Sequence, residues 1–401
     1  MRVRNEASIH MESIRTAVIG IGNMGTAHAT CLHEGRIQGM RLAAVCDISA
    51  ARLEECGRRF PEAARFQDWR ELIASGQAEA VIVAVPHRLH AEIAACALQA
   101  GLHVLTEKPM DVSVSKARRL CEAAAGSDRV FAIMFNQRTN PLFRRAREIV
   151  RSGQLGELKR SVWIITNWYR TQHYYDSGDW RATWSGEGGG VLLNQAPHNL
   201  DLWQWICGMP VSVTAFCDVA KYHDIEVEDD ATLFVRYANG ATGAFITTTG
   251  EYPGTNRLEI VGDLGKLVLE NGVLKWWKLQ SPEKEVRFGS AENFAKIPME
   301  VEEITTDEPE TAHAGILQNF ANAILKGEPL ISPGEDGICE LTLSNAAYLS
   351  QWSGNREIVL PLDEAAFDRE LAKRAEQSKY CVRDNVAHPD GRYSERWQVK
   401  W

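Results

Sequence analysis

Short apolar runs alternate with helix-patterned stretches through the first third of the chain, at Thr16–Gly20, Leu42–Cys46, Ala80–Val85, His103–Thr106 and Val130–Phe135. Between them lie segments such as Ile48–Phe60 and His87–Ala100, rich in Ala, Leu, Glu and Arg. Strands without polar alternation, separated by helices, predict parallel βαβ units in a doubly wound sheet. From about Leu158 the pattern changes to longer amphipathic strands in succession, among them Ser212–Val219, Ala231–Tyr237, Thr242–Thr249 and Leu258–Val261. Turns such as Ala238-Asn239-Gly240 between them predict an antiparallel or mixed sheet. Helices are expected at Ala196–Ile206, His313–Leu325 and Gly334–Gln351. The resulting division is a flexible extension at 1–13, a first α/β domain at 14–136, a second at 137–360, and a helix and tail at 361–401.

Gly20-Ile21-Gly22-Asn23-Met24-Gly25 directly follows the first strand and opens a helix, the setting of a dinucleotide-binding turn in a Rossmann-type domain. The first glycine permits the turn, the second lets the backbone approach a pyrophosphate, and the third allows close packing. Asp47 ends the second strand 22 residues beyond Gly25. Its carboxylate is placed to accept from the adenosine ribose and to repel a 2′-phosphate, which favours NAD over NADP. A helix cap by Asp47 or Ser49 is the structural alternative. Pro86 and His90 fall at the end of another buried strand, where such sheets bind ligands, although a packing role for His90 is equally compatible.

The fifth strand ends in Glu107-Lys108-Pro109. Desolvation at that edge would lower the pKa of Lys108 and let it move a proton near neutrality, whereas a plain surface turn would leave it inert. Further on, Gly188-Gly189-Gly190 precedes Asn194, Gln195, Pro197, His198 and Asp201. A proline in the first helical turn puts Asn194 and His198 at the helix mouth, and the glycines bring the backbone close to a ligand or to another strand. Six of the twelve tryptophans fall between Trp163 and Trp205, with Tyr169, Tyr174, Tyr175, Arg170, His173, Asp176, Asp179 and Arg181 among them. Flat apolar faces with polar tips suit a polyhydroxylated ring. Core packing is the alternative, and it is preferred for Trp203 and Trp205. No zinc or magnesium motif is present, so no metal is expected.

These motifs in this order, continued by Asn319–Ile324 and Pro333–Gly337, resemble the glucose-fructose oxidoreductase, inositol dehydrogenase and rhizopine catabolism (Gfo/Idh/MocA) family over about residues 14–355. The resemblance implies a Rossmann domain followed by an α/β domain with a large open, mainly antiparallel sheet whose exposed face makes homodimers or homotetramers. It implies NAD(P)-linked chemistry on a sugar, glycoside or cyclitol hydroxyl. It gives Lys108 and His198 catalytic roles and puts Asn194 where many members carry an aspartate that partners the histidine. An amide can orient the ring but cannot stabilise an imidazolium through charge, so more of the proton transfer should fall to Lys108. The neighbourhood of Asn194 is similar to members that oxidise a pyranose C3 hydroxyl. Expected cofactor contacts are Gly20, Gly22, Asn23, Met24, Gly25, Asp47, Pro86, His90, Glu107, Lys108, Gln137, Trp180 and Arg181. Expected substrate contacts are Lys108, Arg138, Trp168, Tyr175, Trp184, Asn194 and His198. The alternatives are an inositol dehydrogenase, an NAD-retaining glycosidase that works by transient C3 oxidation and elimination, and a nucleotide-sensing protein without catalysis.

Composition narrows the setting. Apolar residues make up 45% and charged residues 24% of 401, with a net charge of −9, so the chain can bury a large core and is not built to coat nucleic acid. The cluster Arg144, Arg145, Arg147 and Arg151 is expected to be a solvated helix face. No run approaches the roughly 20 apolar residues of a membrane span. Nine scattered cysteines without a CxxC pair predict reduced thiols. With no signal-like N-terminus, a cytoplasmic location is expected.

Overall fold

The computed structural model describes residues 13–178 and 180–379. The expected extension and tail, Asp179 and Cys381 therefore lie outside the described residues, apart from the helix that begins the tail. The first sheet contains β1 (Ile14–Ile19), β2 (Met40–Cys46), β3 (Ala64–Phe66), β4 (Ala80–Val83), β5 (His103–Thr106) and β6 (Phe131–Ile133). They lie in the order β3-β2-β1-β4-β5-β6, and every neighbouring pair is parallel. Ala17, Ile19, Val81 and Val83 enter one apolar layer, while Val18, Ala80, Ile82 and Leu105 enter another. Both faces are thus covered, which is why these strands read as continuous apolar runs. The chain order reverses between β1 and β4, and this opens a crevice at their carboxyl ends.

The second sheet contains β7 (Leu158–Ile165), β8 (Ser212–Val219), β9 (Glu228–Arg236), β10 (Thr242–Thr248), β11 (Asn256–Gly262), β12 (Gly265–Glu270), β13 (Val273–Leu279), β14 (Met299–Ile304) and β15 (Ile358–Val359). Its order is β14-β13-β12-β11-β7-β10-β9-β8-β15. Only β7 and β10 pair in parallel; the remaining pairs are antiparallel. Ala215, Leu233, Phe245, Trp163 and Leu258 form its buried face, against which the helices Pro197–Cys207 and Gly337–Trp352 pack. Phe216, Phe234 and Val301 project from the opposite face and are exposed.

The expected helices are present as Pro197–Cys207, Ala312–Lys326 and Gly337–Trp352, the last preceded by a 3-10 turn at Gly334–Asp336. The helix Glu364–Gln377 docks on the body through buried Phe367 and Leu371. Part of the arginine cluster is not simply solvated: Arg147 and Arg151 donate to the Trp205 carbonyl, and Arg151 also to that of Gln204. These bonds add basic donors to the last-turn carbonyls of Pro197–Cys207, where the Gln204 oxygen also accepts the Gly208 N–H. The eight described cysteines are free. Among the described residues no helix is long and apolar enough to cross a membrane.

Candidate active site

The glycine turn separates packing from access. Gly20 has φ +91°, and a Cβ there would lie 2.4 Å from the Ala84 carbonyl oxygen; a Cβ on Gly25 would lie 1.7 Å from that of Gly20. At Gly22 a Cβ would meet nothing within 4 Å. Gly22 also caps the helix Asn23–His33, so its backbone faces open crevice beside the first, unpaired N–H groups of that helix, as an anionic cofactor requires. Asn23 and Met24 form the first helical turn. Asp47 accepts from the Ile21 N–H at 2.8 Å and the Ser49 N–H at 2.9 Å, which fixes its carboxylate on the lip of the crevice. Ser49, not Asp47, caps the following helix.

Lys108 leaves the end of β5 and donates from Nζ to the Asn194 carbonyl at 2.7 Å. Burial pulls its pKa below the usual 10.5, while Glu107, Glu340 and Glu187 draw it back up and Arg181 lowers it. His198 lies in the first turn of Pro197–Cys207. Burial holds its ring well below the usual 6.5, and the charges of Lys108 and His313 add to the effect. Its Nδ1 is buried with no hydrogen-bond partner among the described residues. The expected orienting bond from Asn194 is not made. The Asn194 amide instead donates to Glu187 and, at 3.4 Å, to the Tyr174 hydroxyl. Asn194 therefore contributes its main-chain oxygen to Lys108 rather than its side chain to His198.

Several residues of this cluster carry no local sequence signal. Glu187 is buried and accepts from the Ala182 N–H at 2.7 Å and from Asn194, and its carboxylate lies 4.0 Å from Arg181. Arg181 donates to the Tyr174 hydroxyl at 2.7 Å and stacks on Tyr174 and Trp180. Trp180 meets the ring edge of buried His87, whose Nδ1 faces the Glu187 carbonyl at 3.2 Å. On the other side, His28 Nε2 lies 2.8 Å from Glu107 Oε1. Burial would raise the Glu107 carboxyl, but the His28 bond and the positive groups around it prevail and hold it at about 2. Glu340 lies fully buried, with neither carboxyl oxygen hydrogen-bonded among the described residues; burial pushes its pKa well up.

Other expected contacts belong to the scaffold. Arg138, expected at the substrate, is 1% exposed. It grips Asp201 through Nε at 2.8 Å and Nη2 at 2.6 Å, and reaches Asp336 through Nη1 at 2.6 Å. Asp201, one turn after His198, is thereby committed to Arg138. Trp184 is buried with its ring edge-on to those of Tyr348 and Trp352. Trp168 donates to Asn199 at 3.1 Å, and the Tyr175 hydroxyl pairs with Thr249 at 2.7 Å; both rings are buried. The segment around them holds a short helix, Gln172–Asp176. His90 places Nδ1 2.7 Å from the Pro109 carbonyl and Nε2 2.7 Å from that of Val85. Both ring nitrogens thus face main-chain carbonyls, one after β4 and one in the Lys108 segment, and a neutral ring donates to one of them at a time. Pro86 is exposed at the end of β4, and Gln137 is buried in the 3-10 turn Asn136–Thr139.

Comparison with known proteins supplies the lineage. Residues 14–135 match the family described as "Oxidoreductase family, NAD-binding Rossmann fold", and residues 143–268 match the "GFO/IDH/MocA C-terminal domain". The chain is 26% identical to myo-inositol 2-dehydrogenase of Thermotoga maritima over 343 residues, covering 84% of this chain and 96% of that protein. It is 25% identical to levoglucosan dehydrogenase of Pseudarthrobacter phenanthrenivorans over 289 residues, covering 64% of this chain and 74% of that protein. The WlbA dehydrogenase of Bordetella pertussis, solved with NADH and UDP-GlcNAcA, superposes with a TM-score of 0.73 at 26% identity, covering 88% of this chain and all of that one. With both family matches in sequence, the glycine turn shaped for a dinucleotide and Lys108 at the crevice, the chain belongs to the Gfo/Idh/MocA family, and its cofactor is NAD.

Proposed function

We propose that the protein oxidises a ring hydroxyl of a sugar, glycoside or cyclitol, preferring pyranose C3, with Lys108 as the proton acceptor. The carrying observation is the placement of Lys108: its Nζ rests on a neutral carbonyl, in a buried setting that lowers its pKa. A lysine held so can give up its proton and then take one from a substrate hydroxyl. When bound, NAD supplies the hydride acceptor for the ring carbon. His198, neutral and with an unused Nδ1, is suited to a hydrogen bond with the same hydroxyl. Tyr174, Trp180 and Arg181 replace Trp168, Tyr175 and Trp184 as the ring-facing wall, because they gather at Asn194 and Glu187. The inositol and levoglucosan named for two relatives support a polyhydroxylated ring as the substrate class.

Lys108→Ala tests this reading. Turnover should fall by about 10² to 10⁴ while NAD still binds, as followed by NADH absorbance across a panel of sugars, glycosides and inositols and by calorimetry with NAD. Near-normal turnover would remove Lys108 from the chemistry. Glycoside cleavage without net NADH would point to the elimination reaction instead.

The second sheet supports self-association. Phe216, Phe234 and Val301 are exposed on a broad face, as an assembly interface requires. Light scattering should give a dimer or tetramer, and Phe234→Glu should shift it toward monomer. A monomeric wild type would refute this assignment.

A further inference from the structure

The glycine run approaches protein, not ligand. A Cβ on Gly190 would lie 1.8 Å from the Glu228 carbonyl oxygen, and one on Gly189 would lie 2.3 Å from the Tyr348 hydroxyl. That closeness brings the loop onto the Glu228 side chain at the start of β9, which is fully buried. Glu228 Oε2 accepts from the Gly190 N–H at 2.9 Å. Oε1 accepts from the Leu192 N–H at 2.9 Å and from the Tyr348 hydroxyl at 2.8 Å. From the same loop the Gly190 carbonyl accepts the Asn194 N–H at 2.9 Å, and the Asn194 carbonyl holds Lys108. An unbroken series of hydrogen bonds therefore runs from Glu228 to the Lys108 ammonium.

We propose that Glu228 is a positioning residue, whose ionised carboxylate fixes the 190–194 loop so that the Asn194 carbonyl meets Lys108. The proposal rests on the reading of Lys108 as proton acceptor. All three groups on Glu228 are donors, so each oxygen must accept. A protonated carboxyl or an amide offers a donor to one of them and leaves a buried N–H unpaired. Tyr348 from Gly337–Trp352, Cys217 from β8 and Arg374 from Glu364–Gln377 line the same cavity of about 290 Å³ beside it. Burial raises the Glu228 pKa to about 7, against the opposing bonds from Leu192, Tyr348 and Gly190. The carboxylate form, and with it the ordered loop, is lost as pH falls through that value.

The test uses the full chain with Glu228→Gln, Glu228→Asp, Tyr348→Phe and Lys108→Ala, and measures kcat and KM against pH together with NAD affinity. Glu228→Gln should lower kcat roughly 10- to 100-fold, the scale of a small misplacement of a catalytic group. It should leave NAD affinity unchanged and erase an acid limb that the wild type shows near pH 7. Glu228→Asp should recover part of the loss and keep a limb. Tyr348→Phe removes one donor and should move the limb to higher pH. A folded Glu228→Gln with wild-type kcat and limb overturns the proposal, as does a loss of kcat that leaves the limb in place. If Glu228→Gln does not fold, Tyr348→Phe decides, and an unmoved limb overturns the proposal. Near-normal turnover in Lys108→Ala would instead overturn the reading of Lys108.

Discussion

Arg138→Met separates a substrate contact from a structural ion pair. Arg138 and Asp201 are each about 1% exposed on their side chains, and the guanidinium lies between the rings of Phe135 and Trp205. Methionine keeps the apolar contacts but strips both bonds from Asp201, leaving it buried with the Gln204 amide at 3.0 Å. Breaking a buried pair at one partner costs about 3–5 kcal/mol, since an uncompensated charge remains. At roughly 2–4 °C per kcal/mol for a domain of this size, the melting midpoint should fall by about 6–20 °C. Replacing both partners, with Arg138→Met and Asp201→Leu, should recover much of the loss, because the buried charge is then gone. Scanning calorimetry of the single and the double variant beside the wild type reads the stability. Steady-state kinetics well below the transition should show KM within about threefold of wild type. A midpoint unchanged in Arg138→Met, together with a KM raised many-fold, would refute the structural role and restore Arg138 to the substrate.

Two further outcomes are expected. Gly22→Ala should leave the melting midpoint unchanged, since its φ of −81° suits alanine and the added carbon meets nothing, yet weaken NAD about tenfold, or about 1.4 kcal/mol. Gly25→Ala should instead lower stability by roughly 1–3 kcal/mol, because its Cβ cannot coexist with the Gly20 oxygen; the reverse pattern in calorimetry and NAD titration would refute the division of roles. As a base, Lys108 must be neutral, so kcat/KM should rise with pH through its pKa, which burial lowers from 10.5. A rising limb centred at or above that value would show the amine to be fully solvated.

The strands of the first sheet, β3 apart, were legible because they are buried on both faces, so their apolar runs need no partner to be recognised. β3 was not, since its three residues are only partly covered and carry no run. In the second sheet, β8 to β11 alternate cleanly, whereas β13 and β14 place Lys275, Lys278, Glu300 and Glu302 among their apolar residues and read as surface. The cross-strand pairs of Lys275 with Glu303 and Lys278 with Glu302 join distant positions that the local pattern does not relate.

The same limit governs the site. The glycine turn and Asp47 are legible because strand, GxGxxG and a following acidic residue stand at a fixed local spacing, whereas Glu107-Lys108 by itself reads as a surface turn and takes its role only from the family resemblance. The roles of Asp201, Arg138 and Trp184 depend on what lies across the fold, and a histidine followed one turn later by an aspartate looks like a pair until Arg138 claims the carboxylate. Glu187, Glu340 and His28 had no pattern to mark them, and their presence changes the electrostatic argument. Three carboxyls around one lysine would ordinarily lock its proton in place. Burial raises the pKa of Glu187 and Glu340, which weakens their negative charge. Glu107 remains ionised, but its carboxylate is turned to His28. Lys108 is left with a neutral carbonyl as its hydrogen-bond partner, and a carbonyl can hold an ammonium in place without preventing the loss of its proton.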